Sequence, residues 1–549
     1  MTPDATMPSK PTMKSWRIYS PALWLLLILA LVAAVRVRLL TLPLERDEGE
    51  YAYAGQLMLE GEPPYRLIYN MKMPGTYASY ALIMAVFGQS TTGIRFGFML
   101  VNFGAIVLIY FLGRRFLDRA GAVAASAIYA LLSASPSVQG INAHATHFVV
   151  LAALGAILAL LRAQERGSLA GFFWSGALFG LAFLMKQPGG AFAFFGFSVL
   201  LWTAWSRQPR DLKTDGLRLA VYAAGVAAPI VLTGLILWRA GVFDKFWFWT
   251  VTYARVHATA LSLRDGRLLL AGYIAQVHWD WWFWGLAMAG LCAALMEKGR
   301  SQEKFFFLSF LFCSAAAVCP SFHFSGHYFV LMLPVIALLA AKAYATASAW
   351  LAVQRLAVVR FAPCIGLGLL WAGDVWSHRT VFFEWGPKEA SQKMYPSNDF
   401  HVYPFIAEYL KSHSPPTATF AVLGSEPELL FYAHRRSVTG YIYMYDLVQE
   451  HPLRERMEKE MISEVEKGRP DFIVFVNLIF SWIPFPPDRG RAIQEWLTKY
   501  TDSYYEPFGV VTFPPNQYAW GPDCFKVVPP GHRFVSIFQR KQSAPTLKP

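Results

Sequence analysis

The stretch PALWLLLILALVAAVRVRLLTLPLERDEGEYAY, residues 21–53, decides the fold. Its first part, Pro21 to Leu42, is apolar apart from Arg36, Arg38 and Thr41. At about 1.5 Å of rise per residue, a helix of that length crosses a hydrocarbon core about 30 Å thick. Lys10, Lys14 and Arg17 precede it and no small-residue cleavage site follows, so a retained first membrane helix is expected rather than a removed signal peptide. At Pro43 the character changes at once, to an acidic and aromatic segment headed by Asp47 and Glu48.

Working outward, apolar segments of near-spanning length recur as far as residue 374. The predicted spans are 20–41, 93–115, 119–137, 144–162, 169–186, 188–206, 217–239, 275–296, 304–320, 327–348 and 357–375, eleven in all. Composition agrees: apolar types are 55% of the 549 residues and charged types 15%, against about 25% in a soluble domain. Mean hydropathy is +0.34. A disordered chain, a collagen-like chain and an ordinary cytosolic enzyme are excluded. The net charge of +13 is assigned to cytoplasmic loops and anionic lipid phosphates, with no nucleic-acid partner expected. Basic residues gather at alternate helix ends: Arg114, Arg115 and Arg119, then Arg162 and Arg166, then Arg207 to Arg218, then Lys298 to Lys304, then Lys342 to Arg360. By the positive-inside rule these ends and the N-terminus face the cytoplasm. The loops 42–92 and 240–274, and everything after 376, are then outside. The run Trp279 to Trp284 fits an aromatic belt at the outer end of the eighth helix.

After residue 376 proline and charge increase. Helices are predicted at 401–413, 426–434, 452–467 and 492–500, and strands at 419–424, 471–477, 508–513 and 533–539. That alternation predicts a small extracytoplasmic α/β domain over 376–549, beside a membrane domain over 1–375. Neither G-x-G-x-x-G nor a P-loop is present, so no nucleotide is implied. Cys292, Cys313, Cys319 and Cys364 lie in apolar runs and Cys524 in a polar one, without a C-x-x-C pair, so neither a structural disulfide nor a zinc knuckle is expected.

The loop 42–92 is too long for a simple connector. Residues 50–59 and 76–87 read as short amphipathic helices lying in the membrane interface. Asp47 and Glu48 sit at the outer mouth of the first helix, and Lys72 stands just before the second interfacial helix. A carboxylate there can take a proton from an acceptor hydroxyl, and a lysine beside it can hold a phosphate leaving group. That chemistry suits attack on the anomeric carbon of a sugar carried on a lipid phosphate. A solvated acidic pair with a snorkelling lysine is the competing account.

The patterns R-D-E-G-E-Y-A-Y (46–53), G-E-P-P-Y (61–65) and K-M-P-G-T-Y (72–77), closed by Phe87-Gly88 and Ile94-Arg95, resemble the first outer loop of a known family. They are similar to bacterial dolichyl-phosphate-mannose-protein mannosyltransferase-like proteins, which include the aminoarabinose transferases acting on lipid A and share the GT-C membrane glycosyltransferase fold. The resemblance continues more weakly at 180–188 and 327–334 and covers about two-thirds of the chain. It implies a mainly helical GT-C bundle in the bacterial inner membrane. A sugar would pass from a polyprenyl-phosphate-linked monosaccharide to an extracytoplasmic acceptor, a glycolipid, glycan or protein. By motif match the catalytic role falls on Asp47, with Glu48 beside it, and the carrier phosphate on Lys72. Several relatives carry a second acid near the start of the fourth helix. Here that region reads Asn142-Ala143-His144-Ala145-Thr146-His147, without a carboxylate. His144 or His147 substitutes for it, or Glu48 works alone.

Further candidates for substrate contact are Lys186 at the end of the fifth helix, Arg255 in the loop 240–274, and His323, His327 and Tyr328 before the tenth helix. His257, Arg264 and Arg267 accompany Arg255 as a positive cluster able to guide an anionic carrier. Arg38 is expected to pair with Asp47 or Glu48 and keep it ionised. No metal ligand set and no cofactor is identified, and a divalent metal is left open. The expected activity is inverting glycosyl transfer. The rival class is a non-catalytic transporter, flippase or scaffold of a polysaccharide assembly system, disfavoured because the charges gather in one loop and no repeat is visible.

Overall fold

The computed structural model describes residues 20–277, 280–396, 398–482, 491–513, 516–528 and 533–542. Lys10, Lys14, Arg17 and Trp279, used above, lie outside the described residues. The helices run in the order α1 (Pro21–Arg38), α2 (Arg46–Leu59), α3 (Pro74–Phe87), α4 (Thr91–Gly113), α5 (Arg119–Leu132), α6 (Ala145–Arg166), α7 (Leu169–Met185), α8 (Gly190–Ser206), α9 (Leu212–Arg239), α10 (Phe243–Trp247), α11 (Ala254–Ala258), α12 (Leu263–Gln276), α13 (Trp281–Met296), α14 (Ser301–Val318), α15 (Leu333–Leu351) and α16 (Ala357–Ser377).

Seven described helices are long and apolar enough to cross a membrane: α1, α4, α6, α8, α9, α15 and α16, with α8 and α15 extended by the short turns that precede them. Three more predicted spans are the shorter apolar helices α5, α7 and α13, and the last, 304–320, is α14. The protein is a multi-pass membrane helix bundle. Polar caps set where these helices begin: Ser20, Ser90, Asp118, Ser168 and Asp211 each accept a backbone N–H of the first turn. Close packing replaces hydrophobic driving force within the bilayer. At the α7–α9 crossing, Gly176 and Gly225 lie so near the facing backbone that a Cβ on either would collide with the carbonyl of Tyr222 or Phe173. The buried core runs through Ile106, Ile128, Val149, Phe195, Phe307 and Ala337, while Leu26, Trp174, Leu232 and Val358 face outward.

The ends of the bundle differ. At the basic end, pairs such as Arg115 with Glu165, and Lys342 with Glu297 and Glu303, hold the short turns. At the other end the chain leaves α1 into the α2–α3 hairpin, and α16 leads into the α/β part.

That part holds a six-stranded sheet: β1 (Thr419–Leu423), β2 (Arg436–Ser437), β3 (Phe472–Asn477), β4 (Tyr505–Phe513), β5 (Gln517–Trp520) and β6 (Arg533–Arg540), in the order β2-β1-β3-β6-β4-β5. The pairs β1/β2 and β1/β3 are parallel, and those made by β6 and β5 antiparallel. The four predicted strands are present. β2 and β5, of two and four residues, carry too little alternation to be legible.

One expectation is corrected. The helix predicted at 50–59 begins at Arg46, and Glu48 to Leu57 are buried almost throughout. It is therefore an inner layer between the bundle and the α/β part, not a helix lying in the lipid interface. Gly49 makes this possible, because a side chain there would strike the backbone of Glu428. α3 fits the amphipathic expectation better, burying Tyr77, Tyr80 and Met84 and exposing Leu82 and Val86.

Candidate active site

The site is built on the first turn of α2. Glu45 caps the helix, its side chain accepting the N–H groups of Asp47 (3.0 Å) and Glu48 (2.9 Å), while Glu48 accepts from the Glu45 N–H. This capping box places acids where the helix dipole favours them. Consecutive helical residues diverge by about 100°, whereas i and i+3 share a face. Asp47 and Glu48 therefore part company.

Glu48 is fully buried. Arg95 donates to its Oε2 at 2.7 Å and the Ala143 N–H to its Oε1 at 2.6 Å. Arg95 also donates to the carbonyls of Leu42, Pro43 and Ile141. Glu48 thus anchors α2 to α4 and to the segment before α6. Both of its oxygens are engaged here, whereas Asp47 turns to Lys72.

Asp47 and Glu50, on the other face, grip Lys72. Its ammonium donates to Asp47 Oδ1 at 2.7 Å and to Glu50 Oε2 at 2.6 Å, and lies 4.7 Å from the centre of the Tyr51 ring. Asn70 donates to the same Glu50 oxygen at 3.1 Å and Tyr77 to the other. The segment carrying Lys72 is fixed by the Tyr69 N–H on the Gly440 carbonyl (2.7 Å) and by the Tyr65 hydroxyl on the Lys72 carbonyl (2.7 Å). Asp47 retains 26% side-chain exposure and Lys72 21%, so both remain open to a ligand. Burial alone would raise the Asp47 carboxyl, but the Lys72 ammonium and its hydrogen bond hold it well below the usual carboxylate range. Burial opposes the charge on Lys72 too, yet Asp47 and Glu50 keep it firmly protonated. Glu45 moves the other way: burial, with Asp47 and Glu48 alongside, pushes it up to about 8.

Two histidines complete the cluster. His144, at the N-terminus of α6, lies 3.9 Å from Asp47 Oδ2 and 3.7 Å from Glu45 Oε1. Its ring stacks on that of His327 at 4.1 Å, and His327 Nδ1 lies 3.1 Å from the Gln139 side-chain oxygen. Tyr328 packs edge-on against His327, and the Lys186 ammonium sits 4.2 Å from the centre of the Tyr328 ring. Of the two histidines offered in place of a second acid, His144 faces Asp47. His147 packs against Phe98 instead. Asp47, His144 and His327 bring one ligand atom each to within 4.8 Å of one another, and neither His144 nitrogen has a hydrogen-bond partner among the described residues. One carboxylate and two imidazoles are a donor set that fits a divalent cation. Lys72, already charged and beside Asp47, weakens that fit.

Three expectations do not converge here. Arg38 donates to the carbonyls of Val381, Phe382 and Trp385, not to an acid, because α1 delivers it to the turn after α16. His323 stacks on His257 at 4.9 Å and contacts Ser321. Arg255, on α11, is exposed and forms no ion pair among the described residues. A hollow of about 470 Å³ beside α10, lined by Phe243, Asp244, Trp247, Phe248 and Thr252, is likewise separate from Asp47. Glu50 and Glu45 were missed because the predicted helix started too late. A start at Arg46 puts Asp47 and Glu50 at i, i+3, and E-R-D-E is itself a capping-box pattern.

The family described as dolichyl-phosphate-mannose-protein mannosyltransferase matches residues 72–238. An undecaprenyl phosphate-alpha-4-amino-4-deoxy-L-arabinose arabinosyl transferase from Pseudomonas paraeruginosa is 27% identical over 258 residues, 45% of this chain and 43% of that relative. The matched part is thus under half the relative's length. Among solved structures, ArnT from Cupriavidus metallidurans in the apo state superimposes with a TM-score of 0.56 at 17% identity, covering 94% of this chain and 98% of that one. The same protein bound to undecaprenyl phosphate gives 0.55. The oligosaccharyltransferase of Archaeoglobus fulgidus gives 0.56 at 13% identity, covering 94% and 76%. Sequence and architecture agree: residues 72–238 resemble that mannosyltransferase family, and the chain has the fold of ArnT and of the archaeal oligosaccharyltransferase.

Proposed function

We propose that this protein is an inverting glycosyltransferase of the bacterial inner membrane. It takes a monosaccharide from a polyprenyl-phosphate carrier and gives it to an acceptor on the extracytoplasmic side, where the α/β part caps the site. The observation that carries the reading is the Asp47–Lys72 pair at 2.7 Å, partly open, at the end of the bundle away from the basic turns. The relatives matched by sequence are undecaprenyl-phosphate-dependent arabinosyl transferases, and ArnT binds undecaprenyl phosphate.

In this reading each group has a task. The acceptor oxygen forms a bond to the anomeric carbon as the bond from that carbon to the phosphate oxygen breaks. The acceptor proton goes to Asp47, and the bonding pair leaves with the lipid phosphate. Lys72, joined by Lys186 above Tyr328, balances the phosphate charge. Before donor binding, Lys72 holds Asp47 at a low proton affinity, a poor state for a base. A donor phosphate that draws Lys72 away removes that restraint, so the base gains strength when there is a sugar to transfer. Glu50 keeps Lys72 tethered meanwhile. His144 and His327 line the approach to Asp47 Oδ2.

The test is transfer by the purified protein in liposomes supplied with polyprenyl-phosphate sugars. Asp47→Asn lowers kcat by about 10²- to 10⁴-fold, the usual span of a general base. Lys72→Ala raises the donor KM. Near-normal turnover of Asp47→Asn removes the carboxylate from the chemistry. Wild-type protein that neither transfers nor hydrolyses any such sugar returns the chain to a non-catalytic class.

A further inference from the structure

A second cluster lies apart from the residues given catalytic tasks. Asp280 stands at the start of α13, and Asp374 and His378 stand one turn apart at the end of α16. Their ligand atoms all lie within 4.8 Å of one another. All three side chains are buried, Asp374 completely and Asp280 to 2% exposure. Ser135 donates to Asp280 Oδ2 at 2.8 Å, and His378 Nδ1 lies 3.5 Å from Asp374 Oδ2. Asp280 Oδ1 and both oxygens of Asp374 have no hydrogen-bond partner among the described residues. No lysine or arginine among the described residues forms an ion pair with either carboxylate.

Two carboxylates turned toward each other and out of water, with one hydroxyl donor and one imidazole beside them, require a positive charge between them. A proton shared by the acids, a proton on His378 or a cation supplies it. The imidazole at the third corner decides the chemistry, because a hard-cation site for calcium or magnesium is built from oxygen alone, whereas two carboxylates and one histidine suit zinc and its neighbours. A tetrahedral ion with bonds of about 2.0–2.2 Å needs its ligands about 3.4 Å apart, so modest side-chain rotation closes the site. Ser135 takes the outer role of orienting a ligand carboxylate.

We infer that Asp280, Asp374 and His378 bind a structural divalent cation of the zinc class, which joins the start of α13 to the end of α16. The placement gives it a purpose. α16 is the helix that leads into the α/β part, and the turn just beyond it receives Arg38. Ser135 heads the turn that ends at Gln139, a residue held at φ +52 whose side chain fixes His327. The cation therefore braces the frame behind His327, His144 and Asp47 without touching them.

The experiment uses the full chain in detergent or nanodiscs, stripped with a chelator and titrated with Zn²⁺. Bound metal is counted by mass spectrometry, Co²⁺ absorption reports an imidazole ligand, and Tm is followed. The expected result is one equivalent bound with a rise in Tm, lost in Asp374→Asn and His378→Gln and retained in Asp47→Asn and His327→Gln. Ser135→Ala, which keeps all three ligands, weakens binding about tenfold. A second equivalent that disappears only in Asp47→Asn belongs to the other cluster and leaves the inference standing. Wild-type protein that binds no metal and whose Tm ignores Zn²⁺ overturns it, whether or not the variants fold. So does a single equivalent kept by Asp374→Asn but lost with His327→Gln. None of these readouts depends on glycosyl transfer, so failure here is distinct from failure of the proposed activity.

Discussion

The loop between α1 and α4 and the loop between α9 and α13 both carried charges expected to meet the substrate, and the structure treats them in opposite ways. In the first, every acid from Glu45 to Glu50 has a partner and a direction. In the second, Arg255 projects from α11 without an ion pair among the described residues, and His257 stacks on His323 at a distance from the Asp47 cluster. What separates them is confinement. α2 lies between the bundle and the α/β part, with Gly49 pressed on Glu428 and Arg95 reaching across from α4. α11 has five residues and no such cover. A charge under a roof must be satisfied, and satisfaction fixes geometry. A charge on an exposed short helix has water for a partner and keeps its freedom.

The largest effect follows from breaking the roofed side. Arg95→Ala leaves the fully buried Glu48 carboxylate without its cation and three backbone carbonyls without their donor. Losing one partner of a buried pair costs about 3–5 kcal/mol. Thermal unfolding in detergent should show a deep fall in Tm, with poor recovery of folded protein. The double variant Glu48→Gln/Arg95→Met should regain part of the loss. An unchanged Tm in Arg95→Ala would mean that confinement does not organise this loop.

A smaller effect comes from pH. Glu45 is buried beside two other acids and rises to about 8 in the folded protein, against an ordinary value near 4.5. A raised carboxyl stabilises the fold fully below about pH 4.5 and loses that contribution as pH climbs through about 8. The slope reaches at most about 1.4 kcal/mol per pH unit for one proton. Asp47 has the opposite sign, since its lowered value gives stability lost only on acidification below its ordinary value near 3.8. Of these two groups Glu45 is the one that titrates between pH 5 and 8, so its contribution to Tm should decline across that window. Glu45→Gln, which keeps an oxygen for the cap, should flatten the decline. An equally steep decline in that variant would place its source elsewhere.

The same contrast explains what the sequence could reveal. The spanning helices were legible because an apolar run of about twenty residues has few alternatives in a lipid environment. The four longer strands carried enough alternation to be seen, and β2 and β5 were too short. At the site, Asp47 and Lys72 were visible as a motif, but their 2.7 Å contact joins residues 25 positions apart and depends on the turn held by Tyr65 and Gly440. Glu48 looked equivalent to Asp47 on paper. One residue of helical rotation and the arrival of Arg95 from α4 made it an anchor. His144 beside His327 was out of reach, since the two stand 183 residues apart and meet only because α6 and α15 start at the same end of the bundle. Sequence spacing reports one element's face and says little about which faces converge.

The smallest expected effect tests the unroofed side. Arg255 is exposed on a five-residue helix, and among the described residues it makes no ion pair that its removal would break. Arg255→Ala should leave stability within about 0.5 kcal/mol of wild type, as is typical of surface positions. Were it a donor contact, its loss would raise the donor KM tenfold or more, the effect expected of a charge-assisted bond to phosphate. Were it only a guide for an anionic carrier, KM would change by a few-fold at low salt and not at all at high salt, because attraction beyond about 10 Å is screened at 0.1 M. The measurement is the donor KM for wild type and Arg255→Ala at two ionic strengths. The salt-dependent result is expected. A tenfold change that persists at high salt would bring α11 over the site when donor is bound, and confinement of the second loop would then be something the substrate creates.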